Sequence, residues 1–436
     1  MQEITAIDLF CGAGGLSEGF QQAGFRILAG NDFDEHAGAT FSLAHDTAEF
    51  LPGAIEEISA DHLLEATGLE KGELDCLIGG PPCQAFSVYN HQRGLHDKRS
   101  RLFEEYLRIV RGLAPKWVVM ENVTGITSAG KGKAVKQILA GLSELGYSVD
   151  MRTLRAEEHG VPQERRRVFF VGNRLGLPVL WPQPTHGRGL LPFVTVEEAI
   201  SDLPKLKNGE DAGPASYRAP ARSGFQAMMR GDSTVVHNHA APRLAPINLQ
   251  RMKHIGPGGS WRDIPHDLLP AGMKKARRCD HTKRYGRLRN DGLSSTVLTK
   301  CDIHWGAYIH PEQDRVLTVR EAARLQSFPD RFQFQGARTE QFVQVGNAVP
   351  PVLGKRVAQA MLRAMQLAEP ERQGAAVNII FMSYSYEGDP VSPGGKRFAL
   401  SEVEGTSHSS LQQAVLYTEA PERKKFCQQI SKALSR

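Results

Sequence analysis

The first 180 residues of this chain alternate short apolar runs with segments whose apolar residues recur every three to four positions. That rhythm belongs to repeated strand–helix–strand units, and it calls for a parallel sheet covered by helices, because parallel strands need a long crossover between them. The strand candidates are Ile4 to Phe10, Phe25 to Ala29, Leu74 to Ile78, Trp117 to Met120 and Val168 to Val171. Between them Phe103, Leu107 and Val110, and later Val135, Ile138, Leu139, Leu142 and Leu145, keep helical spacing. A doubly wound α/β fold is the expectation.

From about Pro182 the texture changes: prolines and glycines crowd in, periodicity fades, and basic residues accumulate after Arg251. A chain of 436 residues exceeds one typical domain, so this stretch reads as a second, irregular lobe. Helical pattern returns at Thr318 and again from Val352 to about Met365, with Leu353, Val357, Met361 and Met365 along one face. Gly388 to Ser410 is rich in Gly, Ser and Pro and reads as linker or loose extension. With 41% hydrophobic and 23% charged residues, disorder, collagen and coiled coil are excluded. No apolar run reaches transmembrane length and the start lacks a basic lead, so a cytoplasmic protein away from membranes is expected. The six cysteines form no C-x-x-C pair, so neither a metal site nor a disulfide framework is expected.

Four segments carry chemistry. Asp8 to Leu16 (DLFCGAGGL) ends the first strand in a glycine-rich turn that lets backbone approach a ligand, and Asp32 ends the second strand where it can bind ribose hydroxyls. These features suit a dinucleotide or S-adenosylmethionine equally. Gly79 to Ser87 (GGPPCQAFS) places Cys83 behind two rigid prolines at the carboxyl edge of the sheet. A lone cysteine is ordinarily a small buried hydrophobe; the proline frame and the basic loop after it favour an exposed, reactive thiolate. Glu121-Asn122-Val123 closes a strand, where a carboxylate is often only a cap. In Gln163 to Arg167 (QERRR), strand alternation points Arg165 and Arg167 the same way. Two further features stay apart: His237-Asn238-His239, without acidic partners, reads as loop chemistry, and Trp261 either packs in the small lobe or approaches a ligand.

In this order, and continued by Arg320 to Pro329 (REAARLQSFP) and Gln344 to Pro351 (QVGNAVPP), these six segments resemble the DNA (cytosine-5) methyltransferases of bacterial type over residues 4 to 366. The resemblance implies a Rossmann-like, S-adenosylmethionine-dependent fold with a smaller target-recognition domain. It divides the chain into a first catalytic and cofactor-binding part (1–181), a recognition domain and return segment (182–300), a second catalytic part (301–368) and an extension of unassigned role (369–436). It also implies Cys83 as nucleophile on cytosine carbon 6, Glu121 at the N3 and amine edge, Arg167 at O2, and Arg165 supporting them or a phosphate. The cofactor would meet Phe10, Gly12, Gly14, Gly15, Asp32, Phe33, Ile55, Pro82, Leu102, Asn347 and Val349. One departure stands out: Ala54 occupies the place of an acidic residue that contacts the adenine amine.

A base inside a duplex hides carbon 6, so the resemblance implies extrusion of the cytosine, a moving loop at Gln84 to Arg101 and DNA contacts from Ser87, Arg99 and Arg101. Residues 251–300 carry 12 Lys and Arg against 4 Asp and Glu, a net +8 within a chain of only +5, which favours phosphate binding. Double-stranded DNA is thus the expected partner, met by a monomer in the bacterial cytoplasm and at the nucleoid, with a cognate restriction endonuclease or defence-system proteins as possible associates. The rivals are a tRNA methyltransferase of the same fold, a non-catalytic DNA-binding regulator, and an NAD-dependent oxidoreductase, which leaves the Pro-Pro-Cys segment unexplained.

Overall fold

A computed structural model describes residues 3–82, 102–217 and 219–368. The apolar runs form strands β1 (Ile4–Leu9), β2 (Phe25–Asp32), β4 (Cys76–Gly79), β5 (Trp117–Val123) and β7 (Arg166–Asn173), joined by β3 (Glu49–Pro52) and β6 (Ser148–Arg155). They make one seven-stranded sheet in the order β3-β2-β1-β4-β5-β7-β6. Strands β1 to β5 pair with one another in parallel, whereas β7 runs antiparallel to both β5 and β6. The reversal has a simple cause: only a short 3-10 turn and the QERRR lead-in separate β6 from β7, too little for a helical crossover.

Alternation along the strands sorts the core into two faces. Ala6, Ile78, Trp117, Val119, Phe169 and Val171 point to one side, where they meet Phe20 of α1 (Gly15–Gln22) and Leu353, Val357 and Met361 of α12 (Pro351–Ala368). Ile7, Leu77, Val118, Met120, Val168 and Phe170 point to the other, where α3 (Ala60–Thr67), α4 (Leu102–Leu113) and α5 (Lys133–Glu144) cover them. Helix α2 (Glu35–Ala44) starts where the Asp34 carboxylate accepts from the His36 and Ala37 N–H groups at 3.0 and 3.1 Å. Strands β3 and β6, for which the sequence offers no apolar run, lie at the two sheet edges with much of their surface exposed.

Beyond Pro182 the elements are short: α6 (Val196–Ile200), β8 (Ala215–Ser216) paired with β9 (Val235–Val236), α7 (Gly224–Arg230), α8 (Pro246–Met252), α9 (Ala271–Lys274) and β10 (Gly286–Arg287) paired with β11 (Ala307–Ile309). One apolar cluster fills them, and it continues through Ile303, Leu317, Phe328 and Val345 into α10 (Val319–Leu325) and α11 (Arg338–Asn347). Trp261 lies inside that cluster and its indole N–H donates to the His281 carbonyl at 3.1 Å, so it packs in the small lobe. His239 is likewise buried, between Thr318 Oγ1 and the Pro204 carbonyl. The REAARLQSFP segment is structural: Arg324 donates to Asp330 at 2.7 Å and Asp202 at 3.0 Å, tying α10 to the end of α6. Among the described residues no helix is long and apolar enough to cross a membrane.

Candidate active site

The carboxyl ends of β1 and β2 shape the first half of the site. Phe10, Gly12 and Gly14 all take positive φ (58°, 52° and 86°), which folds the chain back into α1; for Phe10 that conformation is unfavourable and is held by the surrounding packing. Gly15 must lack a side chain, because a Cβ there would stand 2.6 Å from the Val349 carbonyl. That approach brings the QVGNAVPP segment against the glycine turn. Asp32 first serves the turn itself, accepting from the Gly12 N–H at 2.8 Å and the Asp34 N–H at 3.0 Å; burial raises its pKa. The carboxylate still has lone-pair capacity for a ligand hydroxyl.

Phe33, next in the chain, leaves 71% of its surface in solvent, and a Cβ built on Gly12 would meet nothing within 4 Å. An uncovered ring and open space over a bare backbone turn fit an adenosine-bearing ligand. Ile55 is enclosed in the core at 3% exposure, so Phe33 is the aromatic surface on offer. Ala54 contributes no carboxylate, while Glu57 Oε2 comes within 3.5 Å of where a Cβ on Gly53 would stand. Pro82 and Leu102 are both partly buried.

The second half lies at the ends of β5 and β7. Glu121 and Arg167 form an ion pair at 2.7 Å between Oε1 and Nε, with side chains only 9% and 11% exposed. Burial raises the Glu121 pKa, opposed by the guanidiniums of Arg167 and Arg165. The adjacent Asn122 Nδ2 donates to the Pro81 carbonyl at 2.9 Å, and a Cβ on Gly80 would sit 3.2 Å from Glu121 Oε2. The Glu-Asn pair therefore fixes the backbone that leads into Cys83. Asn122, to which sequence reasoning gave no role, supplies that tether. Cys83, Ser87, Arg99 and Arg101 lie outside the described residues, as do the expected moving loop and the 369–436 extension.

Arg165 and Arg167 both line one cleft, but so does Arg166 between them, and Arg165 precedes β7, so strand alternation does not sort the three. They differ in what they hold. Arg165 is buried, and its guanidinium donates to the Gly346 and Ala348 carbonyls at 2.8 Å each and to the Val297 carbonyl at 3.1 Å. It thus clamps α11 and the return segment onto β7. The cleft has a volume of about 710 Å³ and is also lined by Thr124, residues 296–300, Trp305 and Asn347. A Cβ on Gly346 would lie 2.4 Å from the Leu298 and Thr299 backbone, so that wall is built by close main-chain contact.

A model of the C-5 cytosine-specific DNA methylase family matches residues 4–363. The chain belongs to that family. This methylase is 36% identical to the Type II methyltransferase M.AgeI of Thalassovita gelatinovora, over 82% of its own length and 99% of the relative's. It is 35% identical to the Type II methyltransferase M1.HphI of Haemophilus parahaemolyticus, over 83% of its length and 87% of the relative's. Among solved structures, a DNA modification methyltransferase encoded within an Escherichia coli prophage superposes with a TM-score of 0.68 at 25% identity, covering 84% of the methylase and all of that chain. The methylase is accordingly a DNA (cytosine-5) methyltransferase with a Rossmann-like catalytic fold.

The basic stretch of the methylase is less free than its count of charges suggests. Arg287 is buried and bonded to Asp314 and four backbone carbonyls, while Arg277, Lys283 and Arg289 have carboxylate partners in Asp280, Glu164 and Asp291. No sequence pattern marks which of these residues face the cleft.

Proposed function

We propose that this methylase transfers the methyl group of S-adenosylmethionine to carbon 5 of a cytosine drawn out of a specific duplex DNA sequence, through a transient bond to Cys83. The observation that carries the reading is the buried Glu121–Arg167 pair, which stands beside Gly80 while the adjacent Asn122 holds the Pro81 carbonyl, with Arg167 lining the cleft. A cytosine whose N3 and amine meet Glu121 and whose O2 meets Arg167 would present carbon 6 to the Cys83 thiolate. Addition of sulfur at carbon 6 moves the ring electrons to carbon 5, which becomes the nucleophile; loss of the carbon 5 proton then expels the thiolate. A carboxyl whose pKa burial has raised is suited to sharing a proton with N3, and Arg167 to offsetting charge on the ring.

S-adenosylmethionine supplies an electrophilic methyl group when bound. Phe10, Gly12, Gly14 and Gly15 would line it, Asp32 would take its ribose, Phe33 would cover adenine with Ile55 behind, and Pro82, Leu102, Asn347 and Val349 would complete the pocket. Arg165 would act by holding the Gly346–Ala348 segment in place. Residues 182–300 would read the DNA, with 301–368 completing the catalytic part. Relatives that are Type II methyltransferases support a place in a restriction or phage-defence system of a bacterial cytoplasm, the chain acting as a monomer beside a cognate endonuclease. Transfer of labelled methyl from S-adenosylmethionine to duplex DNA is expected, and Cys83→Ser should abolish it. Full activity of that variant, or labelling of tRNA but not of DNA, would refute the reading.

A further inference from the structure

Trp305 lines the cleft, has been given no task there so far, and is the tryptophan the fold leaves in water. The chain has four; Trp117, Trp181 and Trp261 are buried, whereas Trp305 keeps 49% of its surface exposed. An uncovered indole is an unfavourable surface unless something covers it in use. The turn that presents it is firmly held. Its neighbours Cys301 and Ile303 are buried, the Tyr285 N–H donates to the Ile303 carbonyl at 2.7 Å, and the Trp305 N–H donates to the Asp302 carbonyl at 3.0 Å.

Two cations attend the ring: the Arg284 guanidinium carbon lies 5.8 Å and Lys300 Nζ 5.6 Å from its centroid. Arg277, Lys283 and Arg289 nearby in sequence have carboxylate partners, but among the described residues no carboxylate stands within ion-pair reach of Arg284 or Lys300. Trp305 and Lys300 line the same cleft as Arg167. An aromatic face attended by two cations without a carboxylate partner among the described residues, in the cleft that Arg167 also lines, has the chemistry of a stacking platform for nucleic acid.

We infer that Trp305 is a base-stacking residue of this methylase: its indole packs against a base at the duplex step from which the target cytosine is drawn, while Arg284 and Lys300 hold the neighbouring phosphates. Extrusion of one base strips a π-face of its stacking partner, and an indole on a rigid turn replaces that lost contact. The inference rests on the proposed duplex-DNA reading.

The test uses the full chain and a duplex whose methylated site has been mapped by bisulfite sequencing. With the other tryptophans buried, acrylamide quenching reports chiefly on Trp305, and the duplex should shield it. Trp305→Ala should raise KM for that duplex about tenfold and leave KM for S-adenosylmethionine unchanged. Trp305→Phe, which keeps a ring and guards against a misfolded alanine variant, should recover most of the affinity. If the wild-type protein methylates the duplex while its quenching is unaltered by DNA, or if Trp305→Ala binds the duplex normally, the inference is overturned and the proposed function stands. If the wild-type protein neither binds nor methylates duplex DNA, both fall.

Discussion

Replacing Arg165 by lysine keeps the positive charge and removes the fork. The guanidinium faces the Gly346 and Ala348 carbonyls at 2.8 Å, the Val297 carbonyl at 3.1 Å and Gln163 Oε1 at 3.5 Å. An ammonium offers its donors from one atom and cannot bridge carbonyls that lie on different segments. A hydrogen bond from a charged donor contributes about 1.5–3 kcal/mol, and lysine should restore one or two of them, so the net loss is about 3 kcal/mol. For a compact unit of residues Met1–Ala376 the unfolding entropy is roughly 0.8 kcal/mol per kelvin, which converts that loss to a fall in Tm of about 4 °C. Calorimetry should be run beside methyl-transfer kinetics well below Tm. Arg165→Lys is expected to lower Tm and raise KM for DNA, with kcat reduced less than about tenfold. Arg167→Lys should show the reverse, a small change in Tm and a fall in kcat of about a hundredfold or more. An Arg165→Lys protein with unchanged Tm and abolished kcat would instead mean that Arg165 touches the reacting base and is no clamp.

Glu121→Gln should lower kcat by about a hundredfold with KM for S-adenosylmethionine unaltered, because the amide cannot share a proton with the cytosine edge; steady-state kinetics with both substrates varied checks it. Asp8, buried and accepting from Ser17 Oγ at 2.6 Å, has its pKa raised to about 7 by burial. A raised folded-state pKa means that its contribution to stability is present below the unfolded value near 4 and is lost as pH rises toward 7. Asp8→Asn should therefore flatten the stability profile across that window, gaining on the wild-type protein by an amount of order 4 kcal/mol at most; urea midpoints at pH 4.5 and 7.5 test the sign. Gly346→Ala should cost about 1–3 kcal/mol and raise KM for DNA, because its Cβ would press on the Leu298–Thr299 backbone that lines the cleft; unchanged values on both counts would show that this wall yields freely.

What could be read in the sequence follows what each element owes to its neighbours. Strands β4 and β5 are buried on both faces and announce themselves as continuous apolar runs, whereas the edge strands β3 and β6 carry polar residues on their open sides and do not. The functional segments were legible because backbone constraints are written into them: glycines at positive φ, prolines before Cys83, a carboxylate closing β5. The task of Arg165 was not, because its acceptors at Val297, Gly346 and Ala348 come from distant parts of the chain. Nor was the difference between Trp261 and Trp305 legible, since the small lobe is held by short elements and a cluster without periodicity. The net +8 stretch pointed to a polyanion, yet tertiary contacts decide that Arg287 is a buried strut while Arg284 and Lys300 stand beside an open ring.

In the proposed reaction a thiolate at Cys83 adds to the ring before the methyl group arrives. Duplex DNA bearing 5-fluorocytosine at the mapped site tests it most directly, because fluorine cannot leave as a proton does and the adduct is trapped after transfer. Incubation with S-adenosylmethionine followed by denaturing electrophoresis and peptide mass spectrometry should give a protein–DNA species linked through Cys83 and carrying one methyl group. Methylation of the ordinary duplex with no trapped species on the fluorinated one, or a link through any other residue, would mean that Cys83 is not the nucleophile.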